Sequence, residues 1–111
     1  MADPRLRQLT IKTGVVKRLT KERTVYEREV TTERNRLEKF KTEGGDDHVL
    51  KKQEEVIQEC LMMIPDAARR LTKEVEALEK FLEDEKELEE SKEYQAASQV
   101  LTEAIEVLRK S

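Results

Sequence analysis

The residues best suited to chemistry in this 111-residue chain are its one histidine, His48, and its one cysteine, Cys60. A zinc site of the usual nitrogen and sulfur kind needs at least three such ligands, so these two residues cannot form one within a single copy. Cys60 falls at a core position of an apolar helical repeat, where a cysteine ordinarily serves as a small inert hydrophobe. His48 falls in the first turn of a predicted helix and is expected to be solvated. We therefore predict no metal site and no cofactor.

Phosphate binding and acid–base catalysis have no better candidates. Gly14 is isolated, and the glycines of EGGDDH at 43–48 are not followed by the Gly-Lys-Ser/Thr of a phosphate-binding loop. Carboxylate pairs are numerous, but on solvent-facing helix positions without an apolar pocket they lack the environment that catalysis requires. The sequence predicts a binding protein and not an enzyme.

Charge is unevenly distributed in this chain, of which 42% is charged and whose net charge is -3. The basic residues of the segment 5–28 are Arg5, Arg7, Lys12, Lys17, Arg18, Lys21, Arg23 and Arg28. The acidic residues of the segment 83–93 are Glu83, Asp84, Glu85, Glu87, Glu89, Glu90 and Glu93. Such asymmetry is typical of nucleic-acid binding or of two segments that pair within one chain. Because the basic stretch also carries bundle-facing apolar residues and the whole chain is acidic, we favour internal pairing and predict no nucleic-acid partner.

Long helices must position these residues, since three glycines and two prolines are too few for a turn-rich β architecture. The first helix is predicted at 4–42, with Asp3 as its cap and Pro4 at its first position. Its repeat comprises Leu9, Val16, Leu19, Tyr26, Val30, Leu37 and Phe40, with polar residues at Lys12, Arg23 and Glu33. Gly14 costs about 1 kcal/mol relative to Ala inside a helix, which predicts close packing by a neighbouring helix; a client contact is the alternative.

The segment EGGDDH predicts a short turn, with Gly44 or Gly45 in the left-handed conformation and Asp46 or Asp47 as the next cap. The second helix is predicted at 47–84. Its repeat keeps steps of three and four past Pro65, which a loop at the proline would not explain. The members of this repeat are Leu50, Gln53, Ile57, Cys60, Ile64, Ala67, Leu71, Glu74, Leu78 and Phe81. We therefore predict a continuous helix with a bend at Pro65, whose cost of about 3 kcal/mol is offset by packing.

A third apolar face comprises Tyr94, Ala97, Leu101, Ala104 and Leu108. It is out of phase with the second helix, so a turn is predicted within 84–91, with Ser91 or Asp84 as cap, and a third helix at 91–109. This shorter helix must run back beside the first half of the first one and bring the acidic and basic stretches together. The predicted fold is all-α: one domain, 1–111, forming an elongated antiparallel three-helix bundle.

The chain is expected to be soluble and cytoplasmic. No segment approaches the roughly 18 uncharged apolar residues of a membrane helix, and the first residues contain no apolar run of signal-peptide length. A lone cysteine cannot form an internal disulfide, which suits a reducing compartment.

Met62 and Pro65 fall on the outward face of the second helix when Ile64 and Ala67 face the core, with Leu61 and Met63 at the flanks. An unbranched methionine beside a proline on an exposed face is typical of an adaptable contact surface. The alternative is that Met62 only shields the backbone weakened by Pro65.

Seven short segments together resemble one family. They are MADPR at 1–5, IKTGVVKRL at 11–19, VYERE at 25–29, KKQ at 51–53, MMIPD at 62–66, RRL at 69–71 and EYQAA at 93–97. In this order and spacing they closely resemble the tubulin-folding cofactor A family, also called tubulin-specific chaperone A, over essentially the whole chain. The resemblance implies a three-helix protein of the cytoplasm and cytoskeleton that holds β-tubulin folding intermediates released by the cytosolic chaperonin, until later tubulin-folding cofactors take them. It implies no nucleotide and no catalysis.

The family offers no signature that assigns single contact residues. The candidate partner-binding residues are Met62, Pro65, Asp66, Arg69, Lys17 and Arg18. Since some relatives are monomers and others dimers, a monomer or weak homodimer is expected. The alternative function is a coiled-coil adaptor or homodimerising helical protein without tubulin specificity. A prefoldin-type hairpin chaperone is disfavoured, because EGGDDH leaves no room for β-strands.

Overall fold

The computed structural model describes residues 3–110 and contains three long helices. They are α1 at Pro4–Thr42, α2 at Asp47–Asp84 and α3 at Lys92–Arg109, with a short 3-10 helix at Lys86–Leu88 between the last two. No strand occurs within the described range. The all-α class predicted from the sequence is confirmed, as are the bounds of the first two helices; the third helix begins at Lys92, one residue after the predicted start. Pro65 lies inside α2, so the prediction of a continuous helix is confirmed as well; the bend at Pro65 stays a prediction.

Polar groups at the start of α1 explain why it begins at Pro4. A carboxylate oxygen of Asp3, Oδ1, accepts a hydrogen bond from the backbone N–H of Arg5 at 2.9 Å, as predicted for a cap. The side chain of Arg5 also donates to Asp3, with Nη2 at 2.6 Å from Oδ2. These side-chain and backbone hydrogen bonds from Arg5 lower the pKa of Asp3. The first turn of α1 is thus fixed by its own residues.

The turn between α1 and α2 uses one glycine conformation and one cap. Gly44 has a φ of 75°, in the left-handed region, and the N–H of Gly45 donates to the carbonyl of Phe40 at 2.8 Å. Asp46 Oδ1 accepts from the N–H of Val49 at 2.9 Å, so Asp46 caps α2. Of the two glycines predicted for the left-handed conformation, Gly44 adopts it. Of the two aspartates predicted as the cap of the second helix, Asp46 is the cap.

The turn between α2 and α3 is built without glycine or proline. Ser91 Oγ accepts from the N–H of Tyr94 at 3.1 Å, which makes Ser91 and not Asp84 the cap of α3. The hydroxyl of Tyr94 donates to the carbonyl of Leu82 at 2.9 Å. The predicted turn within 84–91 is confirmed.

The contacts of the chain divide into two compact units, which we describe separately. Unit 1 contains the described residues up to Lys21 and those from Ala68 onward, and unit 2 is Glu22–Ala67. The assignment of the whole chain to one domain stays a prediction.

Unit 1 has an apolar core to which all three helices contribute. Its buried members are Leu9, Val16, Leu19, Leu71, Val75, Leu78, Leu82, Ala97, Leu101 and Ala104. The prediction that the third helix packs beside the first part of the first is confirmed. Val75 and Leu82 lie off the repeat predicted for α2, and they are buried because α3 gives that helix a second neighbour. This two-sided burial was not expected from the α2 repeat alone.

Arg5 carries the internal charge pairing of unit 1. Its Nη1 contacts Glu85 Oε2 at 2.7 Å and also Glu87, both just after α2. Hydrogen bonds to Asp3, Glu87 and Glu85 together raise the pKa of Arg5. The predicted pairing of the basic stretch with the acidic one is confirmed at this residue, although ion pairs that remain partly exposed to solvent contribute little to stability.

Unit 2 consists of residues from α1 and α2 only, and its interior is smaller and more polar. Its buried residues are Arg23, Val30, Gln53, Ile57 and Ala67. Leu37, Phe40 and Leu50 of the predicted repeat are only half-buried, since unit 2 contains no third helix. Cys60, predicted at a core position, is likewise half-buried.

The close packing predicted at Gly14 is wrong. A Cβ built at Gly14 has no neighbouring atom within 4 Å, and the residue is exposed. Among residues 3–110, no neighbouring group therefore requires a glycine at this position. The alternative, a client contact, stays a prediction.

None of the helices described for residues 3–110 is both long and apolar enough to span a membrane.

We predict that Gly14→Ala raises the free energy of unfolding by about 0.5–1 kcal/mol, because Ala is the better helix former and meets no atom there. Gly44→Ala is the matched control. It too has open space around the added Cβ, but its φ of 75° strains any side chain, so it should lower the same free energy. Denaturant unfolding followed by circular dichroism measures both; a loss of stability in Gly14→Ala would contradict the packing described here.

Candidate functional site

The most exposed large apolar side chain of the described residues lies in α2 of unit 2. Met62 is 72% exposed and Met63 43%, and Pro65 and Asp66 beside them are exposed too. We call these four residues the Met62 surface. The outward placement predicted for Met62 and Pro65 is confirmed. Met63 was expected at a flank that a third helix could cover, but unit 2 contains no such helix.

The remaining candidate contact residues are exposed in unit 1. Arg69 follows in α2, and Lys17 and Arg18 lie in α1. Their exposure is compatible with contact to a partner, and their role stays a prediction. The structure provides an additional reason for interest in the Met62 surface, which concerns the backbone behind it.

Arg23 contacts the backbone at Pro65 from the opposite helix of unit 2. Proline has no N–H to donate to the carbonyl four residues earlier, here that of Leu61, so α2 is locally weakened. Arg23 Nη1 donates to the carbonyl oxygen of Ile64 at 3.2 Å, and this carbonyl belongs to the peptide bond that joins Ile64 to Pro65. The guanidinium thus links α1 to α2 at the proline.

Arg23 is almost completely buried, with 1% of its surface exposed. A buried cation is costly unless it is paired. Arg23 Nη2 lies 3.5 Å from Glu27 Oε1, one turn further along α1, while its Nε is buried without a hydrogen-bond partner. The Glu27 carboxylate and the Ile64 carbonyl therefore offset most of the cost of burying the Arg23 guanidinium. Displacement of either group would leave this buried charge without sufficient polar contacts.

A second polar pair crosses unit 2 nearer the first turn. Gln53 Nε2 donates to the backbone carbonyl of Glu33 at 2.9 Å and to its carboxylate at 2.7 Å. Arg23, Glu33 and Gln53 all occupy positions of helical repeats that are mostly apolar. A polar residue at a core position was the sequence signal that these side chains form hydrogen bonds inside the protein. It did not identify the groups to which they bond.

Cys60, two residues before Met62 in α2, is a poor nucleophile in this structure. Burial raises the pKa of the Cys60 thiol, and the charges of Glu29, Glu33 and Glu59 raise it further, so the reactive thiolate is disfavoured. His48 is exposed in the first turn of α2, as predicted. Among residues 3–110 no three His, Cys, Asp or Glu side chains are grouped so as to hold a metal ion.

An open groove of about 900 Å³ runs between α1 and α2 within unit 2. Its apolar lining consists of Leu37, Ile57 and Leu61, and its other lining residues are polar or charged. Sequence reasoning placed Leu61 only at the flank of the core and did not identify the groove. We refer to it below as the unit 2 groove.

Comparison with known proteins gives consistent matches along most of the chain. The family model described as "Tubulin binding cofactor A" matches residues 4–101. The tubulin-specific chaperone A of Gallus gallus is 54% identical over 101 residues, which cover 91% of this chain and 94% of that protein. The solved structure of human tubulin chaperone cofactor a is 49% identical, with a TM-score of 0.77, and covers 89% of this chain and 96% of that one. Tubulin folding cofactor A from Arabidopsis thaliana is 35% identical with a TM-score of 0.87, covering 93% and 97%.

We predict that Arg23 and Pro65 are energetically coupled. Arg23→Met keeps the length of the side chain but removes the bond to the Ile64 carbonyl, and it should lower the free energy of unfolding by about 1.5–3 kcal/mol. In a Pro65→Ala background the loss should be smaller, because the backbone that positions this carbonyl has changed. Denaturant unfolding of the four proteins of this cycle measures the coupling.

Arg28→Met, an exposed change of the same kind in α1 of unit 2, is the control and should alter stability by no more than about 0.5 kcal/mol. Effects of Arg23→Met and Pro65→Ala that simply add within about 0.3 kcal/mol would contradict the coupling.

Proposed function

Since the chain belongs to the tubulin binding cofactor A family, we propose that it is a tubulin-folding cofactor that captures β-tubulin folding intermediates as the cytosolic chaperonin releases them. It holds the intermediate by non-covalent contacts with its helical surfaces, until later cofactors take it over. The observation that carries this proposal is the family match over residues 4–101. The function is exercised in the cytoplasm, in association with the cytoskeleton.

The chemistry of the site supports binding without catalysis. The exposed residues of the Met62 surface are apolar or acidic, and the thiol nearby, Cys60, is half-buried with a raised pKa. Methionine is flexible and polarizable, so it adapts to surfaces of imperfect shape, as a folding intermediate presents. We therefore propose that the protein acts by occupying client surface and not by transforming it.

The client contact is proposed to include Met62, Pro65 and Asp66 of unit 2, and Arg69, Lys17 and Arg18 of unit 1. Exposure of all six supports this assignment. Burial of an apolar side chain such as Met62 on binding would provide on the order of 1.5–3 kcal/mol.

The function itself predicts a β-tubulin complex. When the pure protein is mixed with chaperonin-released β-tubulin and run on a native gel, a shifted band containing both proteins is expected. The control is α-tubulin released in the same way. No shifted band, or equal binding of α-tubulin, would overturn the proposal. Light scattering on the free protein tests the adaptor alternative, which requires a stable dimer.

The Met62 surface predicts a specific loss of binding. Met62→Glu should raise the Kd for β-tubulin by about tenfold or more, because it places a charge in an apolar contact, while stability changes by less than about 0.5 kcal/mol. The measurement is a binding titration together with thermal unfolding. Ile11→Glu, at a residue of α1 that is 57% exposed, is the matched control and should bind as the unaltered protein does. Equal affinities of the two variants would contradict a role for Met62.

A further inference from the structure

The unit 2 groove has an apolar lining that no other element of unit 2 covers. Ile57 in its lining is buried, and Leu37 and Leu61 are half-buried. α1 lies on one side of the groove and α2 on the other, and unit 2 contains no residue of α3. Two packed helices expose such a groove when no third helix fills it.

The helical repeat of α2 indicates what this groove can accept. Val75 and Leu82 follow Leu61 by two and three heptads, so they occupy equivalent positions of the helix. In unit 1 both are buried in the core that includes Ala97 and Leu101 of α3. Within unit 2 the equivalent residue, Leu61, lines an open groove instead. In unit 1 this position of α2 packs against α3. In unit 2 the equivalent position has no helix of that unit packed against it.

The charges around the groove specify its occupant further. Four acids line it, namely Glu38 on α1 and Glu54, Glu55 and Glu59 on α2, against the two bases Arg34 and Lys51. All six side chains are exposed. An excess of acids around an apolar lining is complementary to a helix whose apolar stripe is flanked by Lys or Arg.

We propose that the unit 2 groove binds an amphipathic helix of the client with basic residues along the edges of its apolar stripe. The helix takes, in trans, a position equivalent to the one that α3 takes in unit 1. This inference rests on the proposed function, because it assigns the helix to β-tubulin. It adds a second contact surface to the Met62 surface, with a different chemistry: an apolar stripe together with charge complementarity.

The charge of the groove provides the first test. Glu54→Lys combined with Glu55→Lys should weaken β-tubulin binding at least about tenfold at low salt, and the difference from the unaltered protein should shrink as salt is added. Glu54→Gln with Glu55→Gln should weaken it less. The matched control is Glu76→Lys with Glu79→Lys, which makes the same charge change at exposed positions of α2 in unit 1 and should bind normally. Circular dichroism and thermal unfolding establish that each variant is folded.

The outcomes separate this inference from the function on which it rests. If the unaltered protein forms no β-tubulin complex, the proposed function fails. If it forms a complex, and the variant with lysine at positions 54 and 55 binds as well or as poorly as the variant with lysine at positions 76 and 79, the groove proposal is overturned. The proposed function then stands.

Crosslinking identifies the occupant directly. A photoreactive residue placed at Gln58, which is exposed and lines the groove, should crosslink to a helical, lysine- or arginine-flanked segment of β-tubulin. The same probe at Glu76 should give no such product. Crosslinking from Gln58 to a second copy of this chain, or to an acidic segment of β-tubulin, would overturn the proposal.

Discussion

The constraint on which much of this structure depends is the length of its third helix. α3 has 18 residues, whereas α1 has 39 and α2 has 38. Unit 1 therefore has a core with contributions from three helices, while unit 2 is made from two alone. Two helices bury little apolar surface between them, and accordingly unit 2 contains half-buried residues at predicted core positions and an open groove. The absence of a third helix from unit 2 thus limits its core and also leaves apolar surface available to a partner.

Polar residues on the α1 repeat help to determine how α1 and α2 pair. Lys12 lies over the ring of Phe81, with its Nζ 5.9 Å from the ring centroid. Arg23 donates to the Ile64 carbonyl, and Glu33 accepts from Gln53. A polar residue at a core position disfavours every pairing in which its partner is missing, at some cost in stability. The polar residues that interrupt the α1 repeat thus favour a single alignment of α1 with α2 within each unit.

The features that could be predicted from the sequence depend on residues close together in the chain, and those that could not depend on residues far apart in it. Helix bounds were predictable because Asp3, Asp46 and Ser91 act on amides within three residues of themselves. The repeat of α2 likewise revealed continuity through Pro65. Burial of Val75, the open space at Gly14 and the partner of Arg23 depend on which residues of other helices lie opposite, and no local pattern specifies that. The groove was missed for the same reason, since Leu61 is an ordinary flank position until the end of α3 is known. The exposure of Met62 could be predicted from its position on the helix. A contact between Met62 and a client could not, because it depends on a second protein.

The pairing of Arg5 with Glu85 and Glu87 has a consequence for the order of folding. These contacts join residues 80 and 82 positions apart, whereas the Gln53 to Glu33 bonds of unit 2 span 20. Closing a short loop costs less conformational entropy than closing a long one, and a growing chain contains Gln53 well before Glu85. Unit 2 is therefore free to form its helical hairpin while the first residues of α1 still wait for the segment that completes unit 1. In a protein that we propose receives unfinished chains, the hairpin bearing both proposed client surfaces makes its own contacts without waiting for the end of its chain.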